Sequence, residues 1–201
     1  MYAAASLLAV FKAPWFRLTQ SDSSNIYFGS IVIMLLLWSL NAGILPGLNF
    51  HFLGITAACL MFGWELAFLA IQLILAILIL EGRGSWETLP INALLLGAIP
   101  AGFTHILLRF SQRYIPKNYF IYIFINSFLA AITGMLLTGT LLHWVLADAS
   151  YSTSQLDNLY LVFLMAAVPE GTLNGMTMSI LVIYKPAWVT TFRDEMYLAR
   201  K

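Results

Sequence analysis

The stretch that decides the fold begins His51-Phe52-Leu53-Gly54, passes through Met61-Phe62-Gly63-Trp64-Glu65 and ends Leu78-Ile79-Leu80. It is apolar nearly throughout, and longer than the ~20 residues that one helix needs to cross ~30 Å of hydrocarbon. Phe62-Gly63-Trp64-Glu65 interrupts it near the middle. The expected structure is a broken hairpin: a short helix over 51–62, a tight turn at Gly63, and a second helix from Glu65 to Leu80. Interrupted helices at membrane depth persist only against protein or a cavity, because lipid cannot satisfy the freed backbone groups. In transporters such breaks point to substrate sites.

The rest of the chain agrees with a membrane setting. Of 201 residues, 61% are hydrophobic and 9% charged, against about 25% charged in soluble domains. Further spans are expected at Ile26–Leu45, Ile91–Phe110, Tyr119–Leu146 and Leu159–Tyr184, the last broken near Pro169-Glu170-Gly171. A shorter apolar run, Tyr2–Phe11, reads as a first helix cut short or completed by Ala13-Pro14-Trp15-Phe16. The fold class is therefore an all-α polytopic membrane bundle of about six or seven transmembrane helices. It forms one integral membrane domain over 1–201, with the first helix and a cytoplasmic loop in 1–25 and a cytoplasmic tail in 185–201. Residues 148–157 read as a loop. The six Trp and nine Tyr suit interfacial belts. Lone Cys59, mid-segment, reads as a small buried hydrophobe.

Charge orients the bundle. Lys12, Arg17, Arg109, Arg113, Lys117, Lys185, Arg193, Arg200 and Lys201 belong on the cytoplasmic side by the positive-inside rule. Loops 46–50 and 147–158 carry no Lys or Arg, and loop 81–90 sets one Arg among two Glu. The sides alternate only if 51–80 is a hairpin with Gly63 facing in. That arrangement puts His51 outward and the C-terminus inside.

The polar groups inside the apolar segments are the candidates for chemistry, since each is costly to place there without a partner. They are His51, Glu65, His105, His143 and Glu170. Glu65 is placed to meet the helix dipole of the second hairpin arm. His105 and His143 read as packing or interfacial histidines. Glu170 needs a donor, and two readings stand: a site, gate or partner contact, or a structural bond to Asn126, Asn92 or a backbone group. Gly171 and Gly175 form a small-xxx-small pair suited to close helix approach. His51 reads as a ligand or substrate contact, or else as a histidine capping its helix or bonded to Asn49. No HExxH, GxSxG or P-loop pattern occurs, so an enzyme is not expected, and no basic stripe suggests nucleic acid.

Phe50-His51-Phe52-Leu53-Gly54 followed by Phe62-Gly63-Trp64 is similar to a pattern in one transporter family. So are Gly84 with Leu89-Pro90-Ile91-Asn92-Ala93, and Pro169-Glu170-Gly171 leading to Tyr184-Lys185-Pro186. Over residues 26–192 the chain resembles the membrane substrate-binding permease subunit of energy-coupling-factor cobalt/nickel ABC importers, in a divergent proteobacterial branch. The resemblance implies a divalent transition metal as substrate, nickel or cobalt, with zinc or copper competing by the affinity order. It implies as partners the membrane lipid, a transmembrane coupling protein and cytoplasmic ATPase subunits. It makes His51 the candidate metal ligand, Asn49 its second-shell acceptor, and Glu170 and Asn92 further candidates. No resident cofactor is implied. The family's other nitrogen ligands come from an N-terminal Met-His, where this chain has Met1-Tyr2. Either the chain starts downstream of the family's start, or this branch has lost the usual site. The alternative function is an accessory or assembly membrane protein of the same family without metal transport.

Overall fold

The computed structural model describes residues 1–39, 42–45, 48–147 and 151–198, giving the backbone alone for Ser21, 42–45 and 48–50. Among the described residues eight helices form the bundle: α1 (Tyr2–Lys12), the short α2 (Trp15–Leu18), α3 (Ser21–Ser39), α4 (Ile55–Phe62), α5 (Trp64–Leu80), α6 (Leu89–Tyr114), α7 (Tyr119–Leu146) and α8 (Thr153–Tyr184). A last turn, α9 (Asp194–Tyr197), follows. By length and composition α6, α7 and α8 can each cross a membrane, while α1 and α5 are shorter apolar helices. Large apolar side chains such as Val32, Ile33, Leu36, Leu164, Met165 and Val168 face outward, as expected where lipid is the solvent.

The broken hairpin is present. Gly63 takes a left-handed φ of 94°, which a side chain would strain, and reverses the chain between α4 and α5. The reversal shows in which neighbours each end meets. Leu53, before α4, and Arg83, after α5, both bond to Trp38 at the end of α3. At the turn, Tyr27 from the start of α3 donates to the Leu66 carbonyl and its ring meets Phe62 edge-on. Every residue of α4 is buried, so this short helix is the centre of the bundle.

Several boundaries differ from the sequence reading, each for a physical reason. The span expected to reach Leu45 stops at Ser39, and Ala42–Leu45 instead pairs antiparallel with Leu48–Phe50, with Gly43 opposite Asn49 and a register irregularity between Gly43 and Leu45. The Asn41 and Pro46-Gly47 breaks invoked there lie outside the described residues. Helix α4 begins at Ile55, not at 51; Gly54 with φ 66° marks its start, so His51 sits in extended chain ahead of it. The loop expected over 148–157 is helical from Thr153, because Ser152 and Gln155 form a reciprocal capping box. The break expected at Pro169 is absent and α8 runs on through it. Helix α1 ends at Lys12, and Trp15–Leu18 is a separate turn. In the segment after α8, Val189, Phe192 and Tyr197 are buried.

Helices α7 and α8 pack closely through a small residue on each. A Cβ on Gly171 would lie 2.6 Å from Ile132 Cγ1 and 3.0 Å from the Phe128 carbonyl, and one on Gly139 would lie 2.5 Å from Phe163 Cβ. Backbone widened into π-helix at Leu94–Ala98 is accommodated by α7, since Thr138 donates to the Leu95 carbonyl. The substitution Gly171→Val should lower stability by about 1–3 kcal/mol through overpacking, read as a fall in melting temperature in detergent. An unchanged melting temperature would contradict this α7–α8 contact.

Candidate metal-binding site

An α-helix leaves its first N–H and last C=O groups without intrahelical partners, and a buried helix end must find them elsewhere. Helix α4 does so at both ends. Glu170, 1% exposed on α8, accepts from the Leu53 N–H through Oε2 and from the Gly54 N–H through Oε1, each at 2.9 Å. Asn174, one turn further along α8, accepts from the Ala57 N–H at 2.8 Å. Its amide nitrogen donates to Glu170 Oε1 at 2.7 Å and to the Glu170 carbonyl at 2.8 Å. A carboxylate holding backbone N–H groups at a helix N-terminus is a charge-assisted arrangement, strengthened by the helix dipole. At the other end, Thr190 N–H donates to the Met61 carbonyl at 3.0 Å and Thr191 Oγ1 to the Leu60 carbonyl at 2.7 Å.

This clamp fixes the segment that carries His51. The imidazole is half-buried and stacked on Trp38, with ring centroids 3.9 Å apart and planes 26° from parallel. Trp38, 1% exposed, also donates its indole N–H to the Leu53 carbonyl at 3.2 Å, so one side chain holds both the ring and the chain behind it. Arg83 closes the rim, donating to Ser39 Oγ at 3.2 Å and to the Trp38 carbonyl at 3.4 Å. His51 Nδ1 is buried and has no hydrogen-bond partner of good geometry among the described residues, while the ring interacts with the Phe52 backbone. A shielded ring nitrogen without a well-aligned partner is costly, and a lone pair in that position is what a borderline metal ion takes.

The other expected site residues fall as follows. Glu170 is spent on backbone amides, with neither Asn126 nor Asn92 as its partner. Asn92 is half-buried in the first turn of α6, and no hydrogen bond links its side chain to the Glu170 cluster among the described residues. The side chain of Asn49 lies outside the described residues. Tyr2 donates to Gln72 Oε1 at 2.9 Å, as does Ser6 at 3.2 Å. Among the described residues no three His, Cys, Asp or Glu side chains converge as a ready-made metal cage. Glu65 lies in the first turn of α5, His105 meets Trp64 edge-on, and His143 approaches the Leu156 carbonyl at 3.4 Å, so these three stand apart from His51. Cys59 is a buried thiol against the Ala101 carbonyl.

Asn174 and Trp38 were missed from sequence. Asn174 carried a usable signal: it stands four residues after Glu170 in an apolar helix, hence on the same face. Trp38 read as one of an interfacial belt but is enclosed by the hairpin.

The site thus lies in a helical membrane bundle built round a broken hairpin, with a buried imidazole nitrogen ahead of the hairpin's first arm. The chain belongs to the CbiM family, the cobalt uptake substrate-specific transmembrane region, whose sequence model matches residues 1–188. It is accordingly a multi-pass substrate-binding membrane component of an energy-coupling-factor importer for transition metals such as cobalt or nickel. Two crystal structures are similar in fold. One, a transition metal transporter, shares 17% identity with a TM-score of 0.69, over 89% of this chain and 83% of that one. The other, a truncated transition metal transporter, shares 16% identity with a TM-score of 0.67, over 90% of this chain and 89% of that one. A search of curated proteins by sequence gives no match.

Substituting Glu170 tests the clamp. Glu170→Ala leaves the Leu53 and Gly54 N–H groups buried and unpaired, and should cost about 3 kcal/mol or more of stability. Glu170→Gln keeps one acceptor oxygen and should cost less. The two are compared by thermal unfolding in detergent; equal stability of Glu170→Ala and the native chain would contradict the clamp.

Proposed function

We propose that the chain captures a divalent cobalt or nickel ion from the outer side of a bacterial inner membrane, with His51 as a metal ligand. The observation that carries this is the Nδ1 of His51, buried and without a hydrogen-bond partner of good geometry among the described residues, on a segment clamped by Glu170 and Trp38. Imidazole nitrogen suits both ions, and the remaining positions of the coordination sphere are open to backbone, water or groups of the 40–50 segment such as Asn49. Glu170 then supports the ligand through the backbone and does not touch the metal. Asn92 belongs to the packing of α6.

In this reading the chain is a single membrane domain with its basic face in the cytoplasm. The bound ion is passed on in complex with a transmembrane coupling protein and cytoplasmic ATPases, which supply the energy. The chemistry is ligand exchange, with no bond made or broken in an organic substrate. Two features support the sidedness. The residues at the Gly63 turn meet the segment following α8, beside Arg17 and Lys185, and the opposite end near Trp38 carries Arg83 as its cation.

Metal titration of the purified protein tests the reading. The native chain should bind cobalt or nickel at one equivalent, and His51→Ala should bind it more than about 100-fold more weakly, beyond the loss expected from a supporting residue alone. Equal affinity, or no bound nickel, cobalt, zinc or copper in either protein, would overturn it.

A further inference from the structure

A small cavity of about 40 Å³ opens beside the Gly63 turn, next to Arg17 and near Lys185, away from His51 along the hairpin. Its polar wall is formed by Arg17 and Ser23, its rim by Trp188, and its floor by Ile26, Phe62 and Leu66. Arg17 is half-buried and makes no ion pair among the described residues; its guanidinium only overlies the Phe16 ring at 5.8 Å. A second cation flanks the rim, the Lys185 ammonium standing 5.7 Å over the Trp188 ring. Asp22, next to Ser23, is exposed and does not line the cavity.

A half-buried cation without a counter-ion at the edge of a membrane bundle calls for an anion. The apolar floor calls for carbon beneath that anion. The exposed indole of Trp188 marks the depth at which headgroups lie, since Trp collects at the membrane–water boundary. The ligand is thus an amphipathic anion, charged at one end and apolar below.

We propose that this cavity binds the headgroup phosphate of an anionic membrane lipid against Arg17 and Ser23, with the start of the lipid's chains outside it along Ile26 and Trp188. Phe62 and Leu66 bracket Gly63, so the bound lipid braces the turn of the hairpin whose other end holds the His51 segment. The family match says nothing of such a site, and it stands independently of which metal is carried.

Native mass spectrometry of the purified full chain, after exchange into vesicles of equal phosphatidylglycerol and phosphatidylcholine, tests it. The native protein should retain phosphatidylglycerol over phosphatidylcholine by about fivefold, the factor one basic residue contributes at an anionic surface. Arg17→Gln should bring retention to parity with unchanged circular dichroism, Arg17→Lys should restore part of it, and Arg113→Gln should leave it as in the native chain. Parity in the native protein would overturn the proposal, as would a preference that survives Arg17→Gln. Binding of glycerol 3-phosphate as tight as that of the lipid, and lost in Arg17→Gln, would also overturn it in favour of a soluble phosphate ligand.

Discussion

The whole arrangement depends on how a short buried helix has its ends satisfied. Helix α4 spans only Ile55–Phe62, every residue of it is buried, and lipid offers nothing to its terminal N–H and C=O groups. Glu170 and Asn174 of α8 supply the acceptors at one end, and Thr190 and Thr191, from the segment after α8, supply the donors at the other. One helix and the chain that follows it therefore grip α4 from both sides. Those bonds also explain why α8 is unbroken at Pro169: the face beyond the proline is committed to α4 through Glu170 and to α7 through Gly171.

From that constraint the position of His51 follows. With Leu53 and Gly54 fixed by Glu170, the chain ahead of α4 has little freedom, and Trp38 takes up the rest by bonding to the Leu53 carbonyl and stacking on the imidazole. A ligand held this way meets its metal with the reorganisation already made, which is how a single imidazole becomes useful. The small size of Gly63 belongs to the same logic at the opposite end, where the reversal must be tight enough to keep both arms of the hairpin inside the bundle.

Much of this was legible in sequence, and the remainder was not for identifiable reasons. The hairpin could be read because a long apolar run with Gly63 inside it fits no single span, and because the charge pattern alternates only with a reversal there. Glu170 stood out because a carboxylate in an apolar helix is expensive. Its partners did not, since Leu53 and Gly54 offer only backbone N–H groups and lie more than 100 residues away in the chain. The strand pair at Ala42–Leu45 and Leu48–Phe50 was hidden because short apolar strands continue the hydrophobic pattern of the preceding helix. The start of α8 at Thr153 was available from Ser152 and Gln155 and was overlooked among polar residues that resemble a loop.

The central claim is that the clamped segment presents the His51 imidazole to a transition metal. X-ray absorption of the cobalt-loaded native protein tests it most directly. The account predicts the multiple-scattering pattern of a coordinated imidazole, absent in His51→Ala. A spectrum from oxygen ligands alone in the native protein would contradict it.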